Sequence, residues 1–133
     1  MSEQSILALI PDLMFGVRVR DVLRQLGYQA QVVEELAVAR EALRPGLGLL
    51  IVDLRADLAG WRELIAAAKR LEPAPKILAF GSHVDAERQQ AARDAGCDRV
   101  VANSAFAAKL PQLVERTLKG RPGAQPEPED DEA

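Results

Sequence analysis

The sequence predicts an α/β domain in which helices cover both faces of a five-stranded parallel sheet. Short apolar runs alternate with amphipathic helical patterns, predicted strands start near residues 6, 28, 48, 76 and 99, and only 4% of the residues are aromatic. Cores of aliphatic residues are typical of helices packed on a sheet. Because parallel neighbouring strands need long crossover connections, this spacing predicts one doubly wound domain over residues 1–120.

Three patterns in the first 33 residues predict a strand, a helix and a second strand. Ile6–Ile10 is an unbroken apolar run, typical of a strand buried on both faces, and it ends at Pro11–Asp12. Apolar residues between 15 and 26 recur at helical spacing up to Gly27, which can end a helix in the left-handed conformation. Residues 28–33 alternate in polarity, which indicates a half-covered strand at a sheet edge.

The middle of the chain predicts a central strand between two helices. A short helix is expected over Leu36–Leu43. Residues 47–52 form the most apolar stretch of the chain and end at Asp53, so we expect a buried strand with a carboxylate at its carboxyl end. A third helix is predicted over Trp61–Leu71, and the next strand over Lys76–Phe80.

The last part of the chain predicts two helices and a short strand. Asp85 is expected to cap a helix that runs to Gly96, and Val100–Ala102 is expected to be the fifth strand. Pro111 fits a helix only in its first turn, where amide hydrogens have no helical partners. The final helix is therefore expected to begin near Ala108.

Charge and composition exclude several classes of function. Residues 1–120 carry 16 basic and 15 acidic side chains, so we expect no surface for nucleic acid or for an anionic membrane. Residues 121–133 contain five acids and one Arg among Pro, Gly and Gln, which predicts a disordered acidic tail. One Cys, one His and no paired nucleophile and base indicate a non-enzyme, and the absence of a targeting pattern indicates the cytoplasm.

Polar residues at the predicted carboxyl ends of the strands resemble those of one family. Asp12 follows the first strand, Asp53 closes the third, and a turn at 96–98 precedes the fifth. These positions, together with the order of the predicted strands and helices, make about residues 5–119 resemble the response-regulator receiver domains of the CheY-like type. The resemblance implies a flavodoxin-like doubly wound sheet, strand order 2-1-3-4-5, and a role in signal transduction.

The resemblance also implies a phosphorylation site. In the family, the Asp that closes the third strand accepts a phosphoryl group, and this position is Asp53. Mg²⁺ would be held by Asp12, Asp53 and the backbone carbonyl of Arg55. The pair of acids that follows the first strand in the family corresponds to Pro11 and Asp12, so only one acid remains and the resemblance implies a weakened metal site.

Other positions of the family's switch hold different residues here. The hydroxyl position falls on Gly81, with Ser82 one residue later, the Lys position falls on Asn103, and the aromatic position of the fifth strand falls on Val100. Loss of a fixed positive clamp on a phosphoryl group typically costs about 2.7–4 kcal/mol. We therefore expect a pseudo-receiver that acts as a stand-alone interaction module, without phosphorylation and without a required cofactor.

Two other functions remain open from the sequence. The chain is alternatively a working single-domain response regulator in a two-component phosphorelay, with Asp53 phosphorylated by a histidine kinase and Mg²⁺ at Asp12. A flavodoxin-like carrier of a small molecule has less support, because Pro11–Phe15 lacks the Gly, Ser or Thr that surround a phosphate. Simpler roles are helix or strand capping for the two acids, a loop position for His83 and packing for Trp61.

The resemblance finally implies a contact surface. In the family it is most often the face formed by the fourth helix, the fifth strand and the helix after that strand. In this chain the face corresponds to Ala86–Ala95, Arg99–Asn103 and Phe106–Leu118. The expected partner is another signalling protein or a second copy of the chain. Neither nucleic acid nor a membrane is expected as a partner, and the acidic tail is either a solubilising extension or a docking peptide.

Overall fold

The computed structural model describes residues 4–120, in which strands and helices alternate along the chain. The strands are β1 (Ser5–Leu9), β2 (Gln29–Val33), β3 (Leu49–Asp53), β4 (Lys76–Gly81) and β5 (Arg99–Ala102). The helices are α1 (Leu13–Gln25), α2 (Leu36–Ala42), α3 (Leu58–Lys69), α4 (Ala86–Asp94), α5 (Asn103–Ala108) and α6 (Leu110–Leu118). The predicted acidic tail, residues 121–133, lies outside the described residues.

All five strands are parallel and lie in the order β2-β1-β3-β4-β5, which confirms the predicted fold class and strand order. β3 lies at the centre, and each of its residues is buried, as its apolar sequence predicted. β2 lies at an edge, in agreement with its alternating pattern. The carboxyl ends of the strands share one edge of the sheet, which brings Asp53 of β3 next to the end of β4.

Helices cover both faces because strand side chains alternate between two apolar cores. α2, α3 and α4 pack on one face, where Leu7, Leu50 and Trp61 are buried. α1, α5 and α6 pack on the other face, around Ile51 and Phe106. Trp61 is fully buried, which confirms the packing role considered for it.

Three phenylalanines form the aromatic part of the second core. The rings of Phe80 on β4 and Phe106 on α5 are stacked with centroids 3.9 Å apart. Phe15 of α1 meets both rings in edge-on geometry at 6.0 Å. Aromatic contacts stabilise a core beyond the burial of their surface area. This cluster therefore stabilises the packing of β4 against α1, near the start of the chain, and against α5, near its end.

The start of α3 differs from the sequence prediction. The helix begins at Leu58 and not at Trp61. The carboxylate of Asp57 accepts a hydrogen bond from the backbone N–H of Gly60 at 3.1 Å and so caps the helix one turn earlier. The predicted caps at Gly27 and Asp85 are confirmed, since Gly27 has φ +95° and the Asp85 carboxylate accepts the N–H of Arg88.

The segment after β5 also differs from the prediction, because a short helix, α5, precedes the expected last helix. Ala105 and Phe106 are buried and hold α5 against the sheet, and Lys109 then leaves the helical conformation. α6 begins at Leu110 with Pro111 in its first turn, where the prediction placed it. A continuous helix is excluded because the proline ring would clash with a carbonyl one turn earlier.

None of the helices in residues 4–120 combines the length and the apolar content that a membrane crossing requires. The single cysteine, Cys97, lies half-buried in the turn between α4 and β5, where its backbone N–H donates to the carbonyl of Ala92 at 3.2 Å. Burial raises the pKa of the Cys97 thiol from 9.0 to about 12, with a further contribution from Asp98 and an opposing one from Lys69. The thiol is therefore protonated at neutral pH.

We expect Phe106→Ala to lower the free energy of unfolding by about 3–5 kcal/mol, because it removes a stacked ring and leaves a cavity in the second core. Urea denaturation measures this change. Val84→Ala is the matched control, since Val84 is 78% exposed, and its effect should stay within about 0.5 kcal/mol. Equal effects of the two substitutions would contradict the packing described for the aromatic cluster.

We expect Cys97 to react slowly with iodoacetamide at pH 8 while the chain is folded. A thiol with a pKa of about 12 has roughly a 10³-fold smaller thiolate fraction at this pH than an ordinary cysteine. Because the folded-state pKa is raised, the stability linked to this thiol is present below pH 9.0 and is lost as the pH rises toward about 12. Labelling in denaturant is the control, and equally fast labelling of the folded chain would contradict the assignment.

Candidate functional site

The candidate site lies at the carboxyl end of β3, where the side chain of Asp53 is fully buried. A single residue, Arg55, supplies three donor groups to this carboxylate. Its guanidinium donates from Nη2 to Oδ2 at 2.8 Å and from Nε to Oδ1 at 3.1 Å. Its backbone N–H donates to Oδ1 at 3.0 Å. Asp53 is thus a buried charge with a bidentate partner of opposite sign.

The local turn explains how Arg55 reaches Asp53. The chain turns directly after β3, and the N–H of Ala56 donates to the carbonyl of Asp53 at 3.1 Å. This turn points the backbone N–H and the side chain of Arg55 toward the same carboxylate. The Arg55 side chain is 53% exposed, so the guanidinium lies between the buried acid and solvent.

The electrostatic surroundings keep this guanidinium charged. The pKa of Arg55 is raised above its ordinary value, chiefly by the hydrogen bonds to Asp53. Partial burial lowers it, and the negative charges of Asp53 and Asp12 raise it further. Arg55 therefore carries its positive charge at every physiological pH, close to both acids that the resemblance assigned to a Mg²⁺ site.

A second arginine holds the loop on which Arg55 lies. Arg88, in the first turn of α4, donates from Nη1 to the carbonyls of Leu54 and Ala56 at 2.6 and 3.0 Å. Its Nε lies 3.4 Å from the carboxylate of Asp85, the cap of the same helix. These bonds fix the backbone on both sides of Arg55.

A small cavity opens between this loop and the end of β4. Its volume is about 240 Å³, and it is lined by Leu54, Arg55, Gly81, Ser82, Asp85, Arg88 and Gln89. Pockets that enclose drug-sized ligands or cofactors usually measure about 300–1,000 Å³. The lining arginines are also already paired with Asp53 and Asp85. This cavity is therefore smaller than such pockets, and both of its arginines are already engaged.

Leu54, in the loop after β3, leaves little room for a side chain at Gly81, the position that the family resemblance assigned to a hydroxyl group. A Cβ atom on Gly81 would lie 3.1 Å from Cβ and 3.2 Å from Cδ1 of Leu54. The Ser82 hydroxyl accepts the N–H of Val84 at 3.3 Å, and its carbonyl accepts the amide of Gln89 at 3.1 Å. Ser82 therefore stabilises its own turn, and these hydrogen bonds join it to Val84 and Gln89 and not to Asp53.

The positions assigned to the Lys and to the aromatic residue contribute no charge. Asn103 is the first residue of α5, and its Oδ1 is buried without a hydrogen-bond donor among the described residues. Val100 is buried in the core that contacts α2, α3 and α4. His83 lies exposed in the turn before α4, as expected for a loop histidine.

The two acids do not fit a Mg²⁺ ion in this arrangement. Asp12 is exposed and caps α1, with its Oδ1 accepting the N–H of Phe15 at 3.1 Å, which confirms the capping role considered for it. Both oxygens of Asp53 are bound by Arg55. In residues 4–120, no group of three or more His, Cys, Asp or Glu side chains is placed to hold a metal ion. Mg²⁺ requires near-octahedral coordination by oxygen ligands. Here the Arg55 guanidinium occupies the positions beside the Asp53 oxygens where a metal ion would bind.

Sequence reasoning missed the side-chain roles of Arg55 and Arg88. It considered only the backbone carbonyl of Arg55, although an arginine two residues after a buried Asp is a signal for a local ion pair. Arg88 follows the cap residue Asp85 by three positions, which predicts their contact. Its bonds to the carbonyls of a distant loop depend on tertiary structure and had no sequence signal.

Comparison with known proteins identifies the fold. No protein-family model and no curated protein sequence matches the chain. The non-phosphorylated HemR receiver domain from Leptospira biflexa matches with a TM-score of 0.77 and 18% identity, over 92% of this chain and 100% of that chain. A CheY-like receiver domain protein from Methanospirillum hungatei matches with a TM-score of 0.73 and 20% identity, over 89% of this chain and 95% of that one.

A third match is the chemotaxis response regulator CheY4 of Vibrio cholerae, with a TM-score of 0.72 and 16% identity, over 87% of this chain and 99% of that chain. At these identities the similarity concerns the fold alone. The chain has the fold of CheY-like receiver domains, with the strand order that the sequence predicted.

We expect Arg55→Ala to lower the free energy of unfolding by about 1–3 kcal/mol, because a buried carboxylate loses its charged donors. Adding Asp53→Asn to the same chain should restore part of the loss, since a neutral amide needs less compensation. Urea denaturation measures both changes. Arg62→Ala, an exposed position on α3, is the control, and an equal effect of Arg62→Ala and Arg55→Ala would contradict the ion pair.

Proposed function

We propose that the chain is a pseudo-receiver: a signalling module of receiver fold that acts by protein–protein contact, independently of phosphorylation. The observation that carries the proposal is the bidentate ion pair between Arg55 and the buried Asp53, at 2.8 Å between Nη2 and Oδ2. In a phosphorylatable receiver, this carboxylate would be the nucleophile and would need a free oxygen.

The ion pair opposes phosphoryl transfer to Asp53. Transfer requires an attacking oxygen in line with the leaving group, together with cations against the phosphoryl oxygens. Here both carboxylate oxygens accept hydrogen bonds from Arg55, and the side chain of Asp53 has no exposed surface. Attack would first require breaking a charge-assisted, bidentate interaction.

The surroundings of Asp53 also oppose a phosphorylation-driven switch. A modification shifts a conformational equilibrium only if it gains different contacts in the two states. A phosphorylated Asp53 would find no side chain at Gly81 and no charge at Asn103, and Leu54 occupies the space beside Gly81. We infer that the chain keeps one conformation and presents one contact surface constitutively.

The alternative is a phosphorylatable single-domain response regulator with Asp53 as phosphoacceptor. One observation favours it: the Arg55 side chain is half exposed, so rotation about its own bonds uncovers Asp53 without moving the backbone. In that case the guanidinium would act as a gate over a working acceptor.

Further properties belong to the same proposal. We propose that the chain is not an enzyme, requires no cofactor, resides in the cytoplasm, and binds another signalling protein or a second copy of itself. The contact surface implied by the family, formed by α4, β5 and the helices after it, stays a prediction.

We expect no phosphorylation when the chain is incubated with acetyl phosphate and Mg²⁺. Intact-mass measurement checks for the addition of one phosphoryl group, and a working receiver domain treated in parallel is the positive control. Asp53→Ala is the control for the site. A stoichiometric phosphoryl adduct that disappears in Asp53→Ala would overturn the proposal in favour of the alternative.

Arg55→Ala tests the role of the guanidinium in the same experiment. Weak phosphorylation of this variant, with none of the original chain, would identify Arg55 as the group that blocks Asp53. Phosphorylation of both proteins at the same rate would show that the ion pair does not protect the acid.

A further inference from the structure

In residues 4–120, four of the six large apolar side chains that are exposed lie on α1 and α2, and the other two are Leu26 and Val84. Leu13, Met14 and Val17 of α1 and Val38 of α2 are exposed, with fractions of 63% for Leu13 and 73% for Met14. We call these four residues the α1–α2 surface. Among described residues after Asp85, by contrast, no large apolar side chain is exposed. The face built from α4, β5, α5 and α6 is therefore the more polar of the two.

The α1–α2 surface combines a ridge with a groove. The groove has a volume of about 290 Å³ and runs between α1 and the segment from β2 to α2. Its lining includes Ile10, Val32 and Val33, together with Leu13, Val17 and Val38 of the surface. Met14 stands beside it on α1 as the most exposed residue of the ridge. Clusters of this kind are typical of protein contact sites.

The charges around the groove are divided by sign. Arg18 and Arg20 lie on α1, and Glu34 and Glu35 lie on the opposite side, at the start of α2. Arg20 pairs with Asp21 at 3.2 Å. Arg18, Glu34 and Glu35 take part in no ion pair with any residue in 4–120. The surface thus has a basic side and an acidic side, separated by apolar residues.

We propose that a second copy of this chain docks on the α1–α2 surface and forms a symmetric dimer. In an isologous contact the same patch meets itself, so the ridge of each copy faces the groove of the other. The two-fold relation brings the basic side of one copy against the acidic side of its partner, which is the charge complementarity that such a contact needs. The inference deepens the proposed interaction function and rests on it.

Other occupants fit the surface less well. Residues 121–133 contain no apolar side chain larger than Ala and Pro, and their five acids would meet Glu34 and Glu35. An anionic membrane would meet the same two acids. A partner with a purely basic or purely acidic rim would match only half of the surface. A second copy matches both halves.

Sedimentation velocity on the full chain, without phosphodonor, tests the proposal between about 1 μM and 1 mM, the range in which weak dimers dissociate. We expect a monomer–dimer equilibrium. Met14→Lys should weaken it by about tenfold or more, because it places a charge in the apolar centre of the contact. Val84→Lys is the matched control, since Val84 is 78% exposed and lies in the turn before α4, outside the surface.

A charge exchange tests the symmetric geometry. Arg18→Glu alone should weaken the dimer by like-charge repulsion with the acidic side of the partner copy, and adding Glu35→Arg should restore it. Circular dichroism checks that each variant is folded.

Three outcomes would overturn the proposal: a monomer at all concentrations, open-ended assemblies, or a dimer that Val84→Lys weakens as much as Met14→Lys does. A monomeric chain that binds a different protein through Met14 would also overturn it. None of these outcomes affects the phosphorylation test, so failure of the dimer and failure of the pseudo-receiver proposal are distinguishable.

Discussion

A negative charge at the end of the most buried strand is the constraint on which the site depends. β3 is covered on both faces, so the carboxylate of Asp53 has no access to water. A buried charge is tolerated only when it is paired and fully hydrogen-bonded. Arg55 meets this requirement from two residues away, and Arg88 fixes the backbone that carries Arg55. The paired state of Asp53 provides this compensation, and the bonds of Arg88 hold the loop in the conformation that allows it.

The fold could be predicted from sequence because its signals are local. Ile6–Ile10 and residues 47–52 are apolar runs typical of a doubly covered strand. Asp12 and Asp85 are caps whose bonds reach three residues ahead. The start of α3 was predicted one turn late because the cap, Asp57, lies inside a loop whose apolar pattern is weak. α5 was missed because its two buried residues are too few to show a helical period.

The site could be predicted only in part, for a different physical reason. The position of Asp53 follows from strand burial, which is a local property. The pairing of its carboxylate depends on where the side chain of Arg55 points. It also depends on the bonds of Arg88 to a loop more than thirty residues away in sequence. The close approach of Leu54, in the loop after β3, to Gly81 of β4 likewise joins residues far apart in sequence. Such contacts are set by tertiary packing and leave no pattern along the chain.

The close approach of Leu54 to Gly81 limits which side chains position 81 accepts. A Cβ atom on Gly81 would lie 3.1 Å from Cβ of Leu54, so a larger residue fits only if Leu54 shifts by a few tenths of an ångström. Arg88 binds the carbonyls of Leu54 and Ala56, so such a shift would also disturb the loop that carries Arg55. A protein engineer who wants a hydroxyl group beside Asp53 therefore has to redesign Leu54 in the same step.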